Sequence, residues 1–301
     1  MGLRRFLFIV TAAMVIALII TAWFFPSNED FRVENPFWNG TGDLGTRYPV
    51  RPLNSLADLP SSGEGATLIT VPYAGYTEAE LEQIGDFVAG GGRLILADDY
   101  GHGNEVLESL GLGARFSGEV LLDPLVNYRN EQFPRIIHIA SDPLTVNTDN
   151  LVFNHATSLD GVSGGSVLAR SSAFSFLDRD GSGTREENEP TGPLPVIARQ
   201  AAGRGEVVLI ADPSLFINGM ESMGGNAVFM ENIAAGSTAL YLDQSHLPAS
   251  ELHRTKDALK QARDRLASVP GMAGLVLAAL VIILVPVWHG KKIKSPERSR
   301  K

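Results

Sequence analysis

The chain has 301 residues, of which 44% are hydrophobic and 20% are charged, and it contains no cysteine. The lack of cysteine excludes a disulfide framework, a cysteine-ligated metal centre and a cysteine nucleophile. A formal net charge of −9 disfavours nucleic-acid binding, which requires a basic surface, so we expect no nucleic-acid partner.

Two uncharged apolar runs of 20 residues lie near the chain ends, at residues 6–25 and 269–288. About 20 helical residues cover the hydrocarbon core of a bilayer, so each run predicts a transmembrane helix with the lipid bilayer as its partner. A cleaved signal peptide is the alternative for the first run, but bulky residues, Trp23 to Phe25, stand where small residues precede a cleavage site. A buried core helix is the alternative for the second run, which lysines closely follow.

Basic residues flank the two runs on their outer ends: Arg4 and Arg5 precede the first, and Lys291 and Lys292 follow the second. The positive-inside rule therefore predicts a plasma-membrane protein with both termini in the cytoplasm and the main domain outside. Eight basic residues and one acid lie at the ends, so residues 6–290 keep 17 basic and 33 acidic residues, a net charge of −16. The predicted segments are a cytoplasmic N-terminus (1–5), a span (6–25), an extracytoplasmic α/β domain (26–248), a juxtamembrane helix (249–268), a span (269–288) and a basic cytoplasmic tail (289–301).

The first part of the outer domain, residues 26–65, is rich in proline, glycine and asparagine and gives only a weak strand signal at residues 47–53. It contains the glycosylation sequon Asn39-Gly40-Thr41. Because such sequons belong to surface loops of exported chains, Asn39 is a candidate glycan acceptor in the predicted topology.

The next segment alternates strands and helices. The apolar run at residues 66–71 predicts a buried strand, and residues 77–80 form a capping box that begins a helix. Three glycines at residues 90–92 end that helix, residues 93–97 predict another strand, and residues 104–110 predict a short helix. This order is typical of parallel strands joined by right-handed crossovers.

Beyond residue 114 the pattern changes to short β-like runs, which predict a β-rich insertion. A hairpin is predicted at residues 194–211, a helix at residues 226–235 and a charged helix at residues 249–267. The residues thus predict one α/β domain with a β-rich insertion, flanked by two transmembrane helices.

Polar residues follow two of the predicted strands: Asp98, Asp99 and His102 follow one, and Asp212 follows the other. Ligands in open α/β sheets bind beyond the carboxyl ends of the strands, where carboxylates could hold a metal or act as a general base. The alternative is structural, because aspartate after a strand often caps the next turn or helix. These four strand-end residues are therefore candidate ligand-binding residues, with both interpretations open.

Residues 178–189 match the twelve-residue calcium loop, with Gly183 at position 6, where the loop turns sharply. Calcium, which takes six to eight oxygen ligands, is therefore the cofactor that the sequence predicts. The flanking residues predict strands rather than helices, so an acidic hairpin tip without an ion is the alternative. The predicted ligands are Asp178, Asp180, Ser182, Thr184, Glu186 and Glu189, at positions 1, 3, 5, 7, 9 and 12.

Residues 78–99 and 203–229 carry a family resemblance. The first run is similar to the helix–glycine–strand signature of class I glutamine-amidotransferase-like domains. Over residues 35–240 the chain resembles an uncharacterised family of prokaryotic membrane proteins with a domain of unknown function and an amidotransferase-like ectodomain. The positions that fit the pattern of this family are Gly203, Gly205, Asp212, Pro213, Ser214, Phe216, Asn218 and Asn226.

The resemblance implies a flavodoxin-like, amidotransferase-like sandwich and adds Asn218 and Asn226 to the candidate ligand-binding residues. True amidotransferases use a cysteine nucleophile, so the resemblance implies a degenerate, non-catalytic domain here. It also implies a MoxR-type AAA ATPase or von Willebrand-type membrane proteins as partners. We therefore expect a membrane-anchored extracytoplasmic binding or scaffold protein that is not an enzyme. The alternatives are a metal-dependent hydrolase built on the strand-end residues and a transporter accessory subunit.

Overall fold

The computed structural model describes residues 2–292 of the chain. Contacts divide the chain into two compact units: one contains the segments up to Phe25 and from Ala249 onward, and the other is Pro26–Pro248. Most of the predicted basic tail, residues 293–301, lies outside the described residues, as does Met1.

Helices occur in both units, and the three longest belong to the first. Short 3-10 helices lie at Leu56–Asp58, Pro143–Thr145, Gly164–Ser166 and Pro213–Phe216. The α-helices of the described residues are α1 (Leu3–Phe24), α2 (Gly42–Arg47), α3 (Glu78–Ala89), α4 (Gly103–Ser109), α5 (Asn218–Glu221), α6 (Asn226–Ala235), α7 (Glu251–Ala267) and α8 (Val269–Lys292).

The strands all belong to the second unit. They are β1 (Val50–Leu53), β2 (Thr67–Thr70), β3 (Arg93–Ala97), β4 (Arg115–Phe116), β5 (Val120–Leu122), β6 (Arg135–Ile136), β7 (His138–Ile139), β8 (Leu151–Val152), β9 (Leu159–Asp160), β10 (Val167–Arg170), β11 (Phe176–Asp178), β12 (Pro195–Ala202), β13 (Gly205–Ile210) and β14 (Leu240–Asp243).

Eight strands form one mixed sheet in the order β1-β14-β2-β3-β13-β12-β10-β7. Neighbours from β1 to β13 in this order run parallel, whereas β12, β10 and β7 pair antiparallel with their neighbours. The other strands form the two-stranded pairs β11-β5, β4-β9 and β6-β8 between β3 and β12 in the chain. The predicted α/β class is confirmed at this level, as a large mixed sheet with helices.

The parallel strands carry the core of the second unit. All four residues of β2 are buried, and Leu94, Ile95 and Leu96 of β3 have no exposed surface. Full burial of one such aliphatic side chain stabilises the fold by about 2 kcal/mol. Strands buried on both faces have continuous apolar sequences rather than alternating ones, which is why the sequence predicts β2 and β3 so clearly.

Helix α3 begins and ends as its sequence predicts. The side chain of Thr77 accepts a hydrogen bond from the amide of Glu80, and the side chain of Glu80 accepts one from the amide of Thr77 at 2.8 Å. At the other end, Gly91 has a φ of +101°, which only glycine adopts without strain. These two ends fix where the connection from β2 to β3 lies on the sheet.

One helix of residues 2–292, α1, is by itself long and apolar enough to cross a bilayer, with a mean hydropathy of 2.6. Helix α7 and the part of α8 up to Val281, bent by 78° at their junction, would supply a second span only if they count as one. A signal sequence near the N-terminus can also meet these criteria of length and composition. The helices therefore agree with an N-terminal membrane anchor, and they do not establish the predicted pair of spans.

Candidate functional site

The connections at the carboxyl edge of the parallel strands change direction between β3 and β13. From β2 through β3 to β13 the chain moves across the sheet one way, whereas the connection from β13 to β14 returns past β3 and β2. Because such crossovers are right-handed, α3 and α6 belong to opposite faces of the sheet. Ligands of open α/β sheets bind in the crevice at such a point, so the loops after β2, β3 and β13 form the candidate site.

Asp98 follows β3, and its buried carboxylate organises the loop that leads into α4. Its oxygens accept hydrogen bonds from the backbone amides of Gly101 at 2.8 Å and Gly103 at 2.7 Å. A Cβ atom at Gly103 would lie 2.6 Å from Oδ2 of Asp98, so this close approach requires glycine. Burial raises the pKa of Asp98 to about 6, although both amides act in the opposite direction. Asp98 therefore serves as a cap within its own loop.

Asp212 follows β13 and has no exposed surface. Its carboxyl group accepts hydrogen bonds from the amide of Ser214 at 2.7 Å and from the amide of Asn154, in the insertion, at 2.5 Å. Burial, reinforced by the nearby charge of Asp99, raises the pKa of Asp212 to about 8. The group is therefore largely protonated at neutral pH, and it connects two loops without presenting a charge to solvent.

A cavity of about 220 Å³ lies beside these loops. The ring of Tyr73 packs against Phe31 with ring centres 5.5 Å apart, and the hydroxyl of Tyr100 donates to the backbone oxygen of His155 at 2.9 Å. Because each tyrosine has such a contact, the aromatic walls are preformed. The lining residues are Val71, Pro72, Tyr73, Asp98, Asp99, Tyr100, Gly101 and His102.

Asp99 and His102 also line this cavity, and they differ in what they offer a ligand. Oδ1 of Asp99 accepts a hydrogen bond from the amide of Tyr100 at 2.7 Å, and within residues 2–292 no hydrogen bond from another residue reaches Oδ2. Burial raises the pKa of Asp99. Nδ1 of His102 lies 2.7 Å from Oε1 of Glu105, so the imidazole already has a partner. Asp99 is thus the strand-end acid with an oxygen free for a ligand.

The strand-end residues do not converge as metal ligands do. Among residues 2–292, the one group of three or more acidic or histidine side chains whose ligand atoms all lie within 4.8 Å of one another is Asp178, Asp180 and Glu189. These three residues occupy positions 1, 3 and 12 of the predicted calcium loop. Acidic side chains therefore converge in the predicted loop and not at the strand ends.

The predicted calcium loop is held by hydrogen bonds from its own backbone. Asp178 accepts the amides of Ser182 at 3.0 Å and Gly183 at 2.9 Å, and Gly183 has a φ of +70°. Glu189 accepts two further amides of the loop, each at 2.9 Å. Asp178 and Glu189 are buried, whereas Asp180 is exposed. The turn predicted for position 6 is therefore present, with two buried acids directed by backbone amides.

The remaining predicted calcium ligands lie outside the acidic group. The hydroxyl of Ser182 donates to the backbone oxygen of Thr184 at 3.0 Å, which occupies the carbonyl expected at position 7. Glu186 is exposed, and its amide donates to Glu189 at 2.9 Å. The structure therefore brings together positions 1, 3 and 12, while positions 5, 7 and 9 make bonds within the loop.

The candidate asparagines make internal hydrogen bonds away from the cavity. Asn226 has no exposed surface and bonds to both the amide and the carbonyl of Val152, at 3.0 and 2.9 Å. Nδ2 of Asn218 donates to a backbone oxygen of the N-terminal loop at 2.6 Å. In the sequon, Nδ2 of Asn39, the atom to which a glycan attaches, donates to the backbone oxygen of Asn28 at 3.1 Å. All three side chains join separate segments of the domain.

A further group of polar residues at the same edge of the sheet escaped prediction. Beyond β14, Nδ1 of His246 lies 2.7 Å from Oδ2 of Asp243, and Nε2 lies 3.7 Å from Oε2 of Glu80. The imidazole stacks on the ring of Tyr76 with ring centres 3.9 Å apart, and the hydroxyl of Thr70 donates to Asp243 at 2.9 Å. We call these five residues the histidine cluster.

The sequence alone favours a purely structural histidine at position 246. The signal that could have identified the cluster is Asp243 at the end of a strand, three residues before His246. Asp99 and His102 have the same spacing after β3. Asp243 at the end of β14 is distant in sequence from Thr70 in β2 and Glu80 in α3, so the pattern by itself does not name the partners.

Charges in the histidine cluster compensate each other. Burial by itself lowers the pKa of His246, but the hydrogen bond and charge of Asp243, assisted by Glu80, raise it overall. Burial likewise disfavours the ionised form of Asp243, yet His246 and Ser245 hold its pKa below the usual value. The cluster therefore favours an ion pair, in contrast to the protonated Asp212.

Comparison with known proteins identifies the family. A domain of unknown function, DUF4350, matches residues 40–234. The chain belongs to this family. The predicted membership of a family with a domain of unknown function is thereby confirmed, while this match says nothing about membranes or amidotransferases. No curated protein sequence matches the chain.

Among solved structures, the mmIFT52 N-terminal domain is similar to this chain at 15% identity and a TM-score of 0.51, covering 68% of this chain and 92% of that one. A β-galactosidase from Bacillus circulans sp. alkalophilus matches at 14% identity and a TM-score of 0.34, covering 56% of this chain but only 22% of the galactosidase. Cytoplasmic Protein STM1381 from Salmonella typhimurium LT2 matches at 13% identity and a TM-score of 0.38, covering 62% of this chain and 76% of that one. At these identities the first likeness concerns the fold alone, and the other two support no argument.

Proposed function

We propose that the protein is a membrane-anchored extracytoplasmic binding protein whose α/β domain is a degenerate, non-catalytic relative of glutamine amidotransferases. The observation that carries the proposal is how the strand-end acids are used: Asp98 and Asp212 bond to loop amides, and Asp99 lines a preformed cavity beside them. A buried, protonated carboxyl is a poor metal ligand and a poor general base at neutral pH. The chain also has no cysteine to act as the amidotransferase nucleophile. These features favour holding a ligand over converting it.

The proposed anchoring rests on α1 and on the second apolar run, residues 269–288, which lies within α8. Basic residues outside both runs favour cytoplasmic termini, which would leave Pro26–Pro248 outside the cell. The partners implied by the family resemblance, a MoxR-type AAA ATPase or von Willebrand-type membrane proteins, would then act together with an anchored receptor. A role as a transporter accessory subunit is the alternative within this topology.

Cysteine labelling tests the topology, because the natural chain provides a background free of cysteine. Single cysteines replace Ser62 in the α/β domain and Ser295 beyond the second run. On intact cells, a membrane-impermeant maleimide should label Ser62→Cys and should label Ser295→Cys only after permeabilisation. The unsubstituted chain is the control for non-specific labelling. Equal labelling of both variants on intact cells, or labelling of Ser295→Cys alone, would contradict the topology.

Metal analysis distinguishes the binding protein from the metal-dependent hydrolase. Full-length protein, purified without chelator, is analysed for bound transition metals together with the Asp98→Asn and Asp212→Asn variants. We expect the three proteins to contain the same trace amounts, because these carboxyl groups bond to backbone amides. A stoichiometric transition metal in the natural protein that both substitutions remove would support the hydrolase instead.

We also propose that the loop at residues 178–189 binds calcium. The observation that favours this is the combination of the sequence motif, the positive φ of Gly183 and the proximity of the acids at positions 1, 3 and 12. Calcium would neutralise these acids and stabilise the tip of the insertion. Extracellular calcium sites of this class have dissociation constants of about 10⁻⁴–10⁻³ M, which suits the proposed location. A calcium-dependent rise in the melting temperature of the full-length protein is the test.

A further inference from the structure

The electrostatic surroundings of the strand-end cavity are negative. Its lining contains Asp98 and Asp99 and no lysine or arginine. Burial is the largest cause that raises the pKa of Tyr73, whose ring forms one wall, and the charges of Asp99 and Asp30 add to it. An anionic ligand would therefore be repelled, whereas a cation would be attracted.

The walls of the cavity provide aromatic faces in fixed positions. Tyr73 and Tyr100 keep 41% and 48% of their surface exposed, so substantial ring surface remains available. Phe31 packs against the first ring, and the hydroxyl of the second bonds to the backbone of His155. The face of an aromatic ring attracts a positive charge, most strongly when the charge is shielded from water.

The acid and the rings together select one chemical class. Asp99 supplies a carboxylate with Oδ2 free, and the two tyrosines supply apolar surface that a hydrated metal ion does not use. A volume of about 220 Å³ is below the range of about 300–1,000 Å³ that is usual for drug-sized ligands, so the occupant is small.

We infer that the strand-end cavity binds a small organic cation from solution, an ammonium ion placed between the carboxylate of Asp99 and the rings of Tyr73 and Tyr100. This inference rests on the proposed binding function and names the ligand class for the same site. The ammonium group would form a charge pair with Asp99, and its alkyl groups would contact the two rings.

Choline is a suitable probe, because 3,3-dimethyl-1-butanol has the same shape without the charge. Both compounds have a single sharp methyl resonance, so one saturation-transfer NMR titration measures both. The full-length protein is embedded in nanodiscs of phosphatidylglycerol, which has no choline headgroup, and empty nanodiscs give the background. We expect saturable binding of choline and at least about tenfold weaker binding of the alcohol, since the alcohol forms no ion pair and no cation–π contact.

Matched variants assign the binding to this cavity. Tyr73→Phe keeps the aromatic face and should bind choline like the natural protein, whereas Tyr73→Leu should weaken binding about fivefold. Asp99→Asn removes the charge but keeps the acceptor for the amide of Tyr100, and it should weaken binding about tenfold. Glu108→Gln makes the same change of net charge at an exposed position of α4 outside the cavity and should have no effect.

Several outcomes would overturn the inference: equal binding of choline and the alcohol, no saturable binding of either, or equal loss in Asp99→Asn and Glu108→Gln. Loss of choline binding in nanodiscs that contain phosphatidylcholine would assign the cavity to a lipid headgroup and would also overturn it. None of these outcomes affects the maleimide labelling pattern or the metal content. Failure of the cation inference is therefore distinguishable from failure of the proposed function.

Discussion

Two groups of acids lie at the carboxyl edge of one sheet and behave in opposite ways. After β3 and β13, Asp98 and Asp212 are buried and form no ion pair with any of residues 2–292, and burial raises their pKa values to about 6 and about 8. After β14, Asp243 is equally buried, but His246 holds its pKa below the usual value. The position of an aspartate at the end of a strand therefore does not determine its protonation state. The presence or absence of a counter-charge decides it.

The largest effect is expected where a charge pair is broken. His246→Gln leaves the buried carboxylate of Asp243 without its cation, and losing one partner of a buried pair costs about 3 kcal/mol. The free energy of unfolding of the full-length protein in mild detergent, measured by denaturant titration at neutral pH, reports this loss. The double variant Asp243→Asn with His246→Gln removes both charges and should recover more than half of it. A double variant less stable than His246→Gln would show that the two side chains do not act as a pair.

A smaller loss is expected at Asp212, because no ion pair is broken there. Asp212→Ala leaves the amides of Ser214 and Asn154 without an acceptor, which costs about 2 kcal/mol. Asp212→Asn retains one oxygen acceptor and resembles the neutral carboxyl group, so it should cost less than half as much at neutral pH. Thermal unfolding of the two variants side by side checks this order. If Asp212→Asn were the more damaging change, the carboxyl group would have to be ionised in the folded protein.

The pH dependence of stability separates the two groups of acids. Since Asp98 and Asp212 have folded pKa values of about 6 and about 8, above the unfolded value of about 3.9, their contribution is fully present below about pH 4 and is lost as the pH rises through 6 and 8. The raised pKa of His246 likewise contributes stability that is lost as the pH rises above about 6.5. Asp243, with a lowered pKa, contributes stability above about pH 3.9 that is lost on further acidification.

We therefore expect the unfolding free energy to fall by about 1 kcal/mol or more between pH 5 and pH 8, where one pKa unit corresponds to about 1.4 kcal/mol. Asp212→Asn should flatten the curve from about pH 4 up to pH 8, whereas Asp98→Asn should flatten it only from about pH 4 to pH 6. Denaturant titrations at four pH values for the three proteins test this. A natural protein whose stability rises steadily from pH 5 to pH 8 would contradict the account.

Local features of this fold were predictable from the sequence, whereas the partners of its polar residues were not. The capping box at Thr77 and the buried strands β2 and β3 depend on residues that are neighbours in the chain, so local sequence patterns were sufficient to predict them. The position of Asp98 and Asp212 at strand ends followed from the same patterns. The amide of Asn154 that bonds to Asp212, however, is 58 residues away in the chain.

The histidine cluster and the cavity illustrate the same limit. Thr70 and Asp243, which share a hydrogen bond, are separated by 173 residues. The ring contact between Tyr73 and Phe31 connects the first strand-end loop to the N-terminal segment. The tertiary fold therefore determines which acid has a counter-charge and which tyrosine lines the cavity. Periodicity and motif spacing in the sequence do not predict these contacts.

The smallest expected effect concerns the predicted calcium loop, whose acidic side chains would gain a cation from solution. At 5 mM calcium, a dissociation constant of about 1 mM stabilises the folded state by about 1 kcal/mol and raises the melting temperature by a few degrees. The combined change Asp178→Asn with Glu189→Gln should abolish this rise, whereas Glu187→Gln, in the same loop but outside the predicted ligands, should retain it. Identical melting curves of the natural protein in calcium and in excess chelator would contradict the proposal.

The proposal that the strand-end acids hold a ligand without converting it depends on the protonation state of Asp212, because a neutral carboxyl group is a poor metal ligand and a poor general base. Infrared difference spectra of the full-length protein minus Asp212→Asn isolate the carbonyl stretch of this one group. We predict the band of a protonated carboxylic acid at pH 6.5 and its replacement by a carboxylate band above the pKa of about 8. A carboxylate band already at pH 6.5 would contradict the account and would restore the strand-end acids as candidates for catalysis.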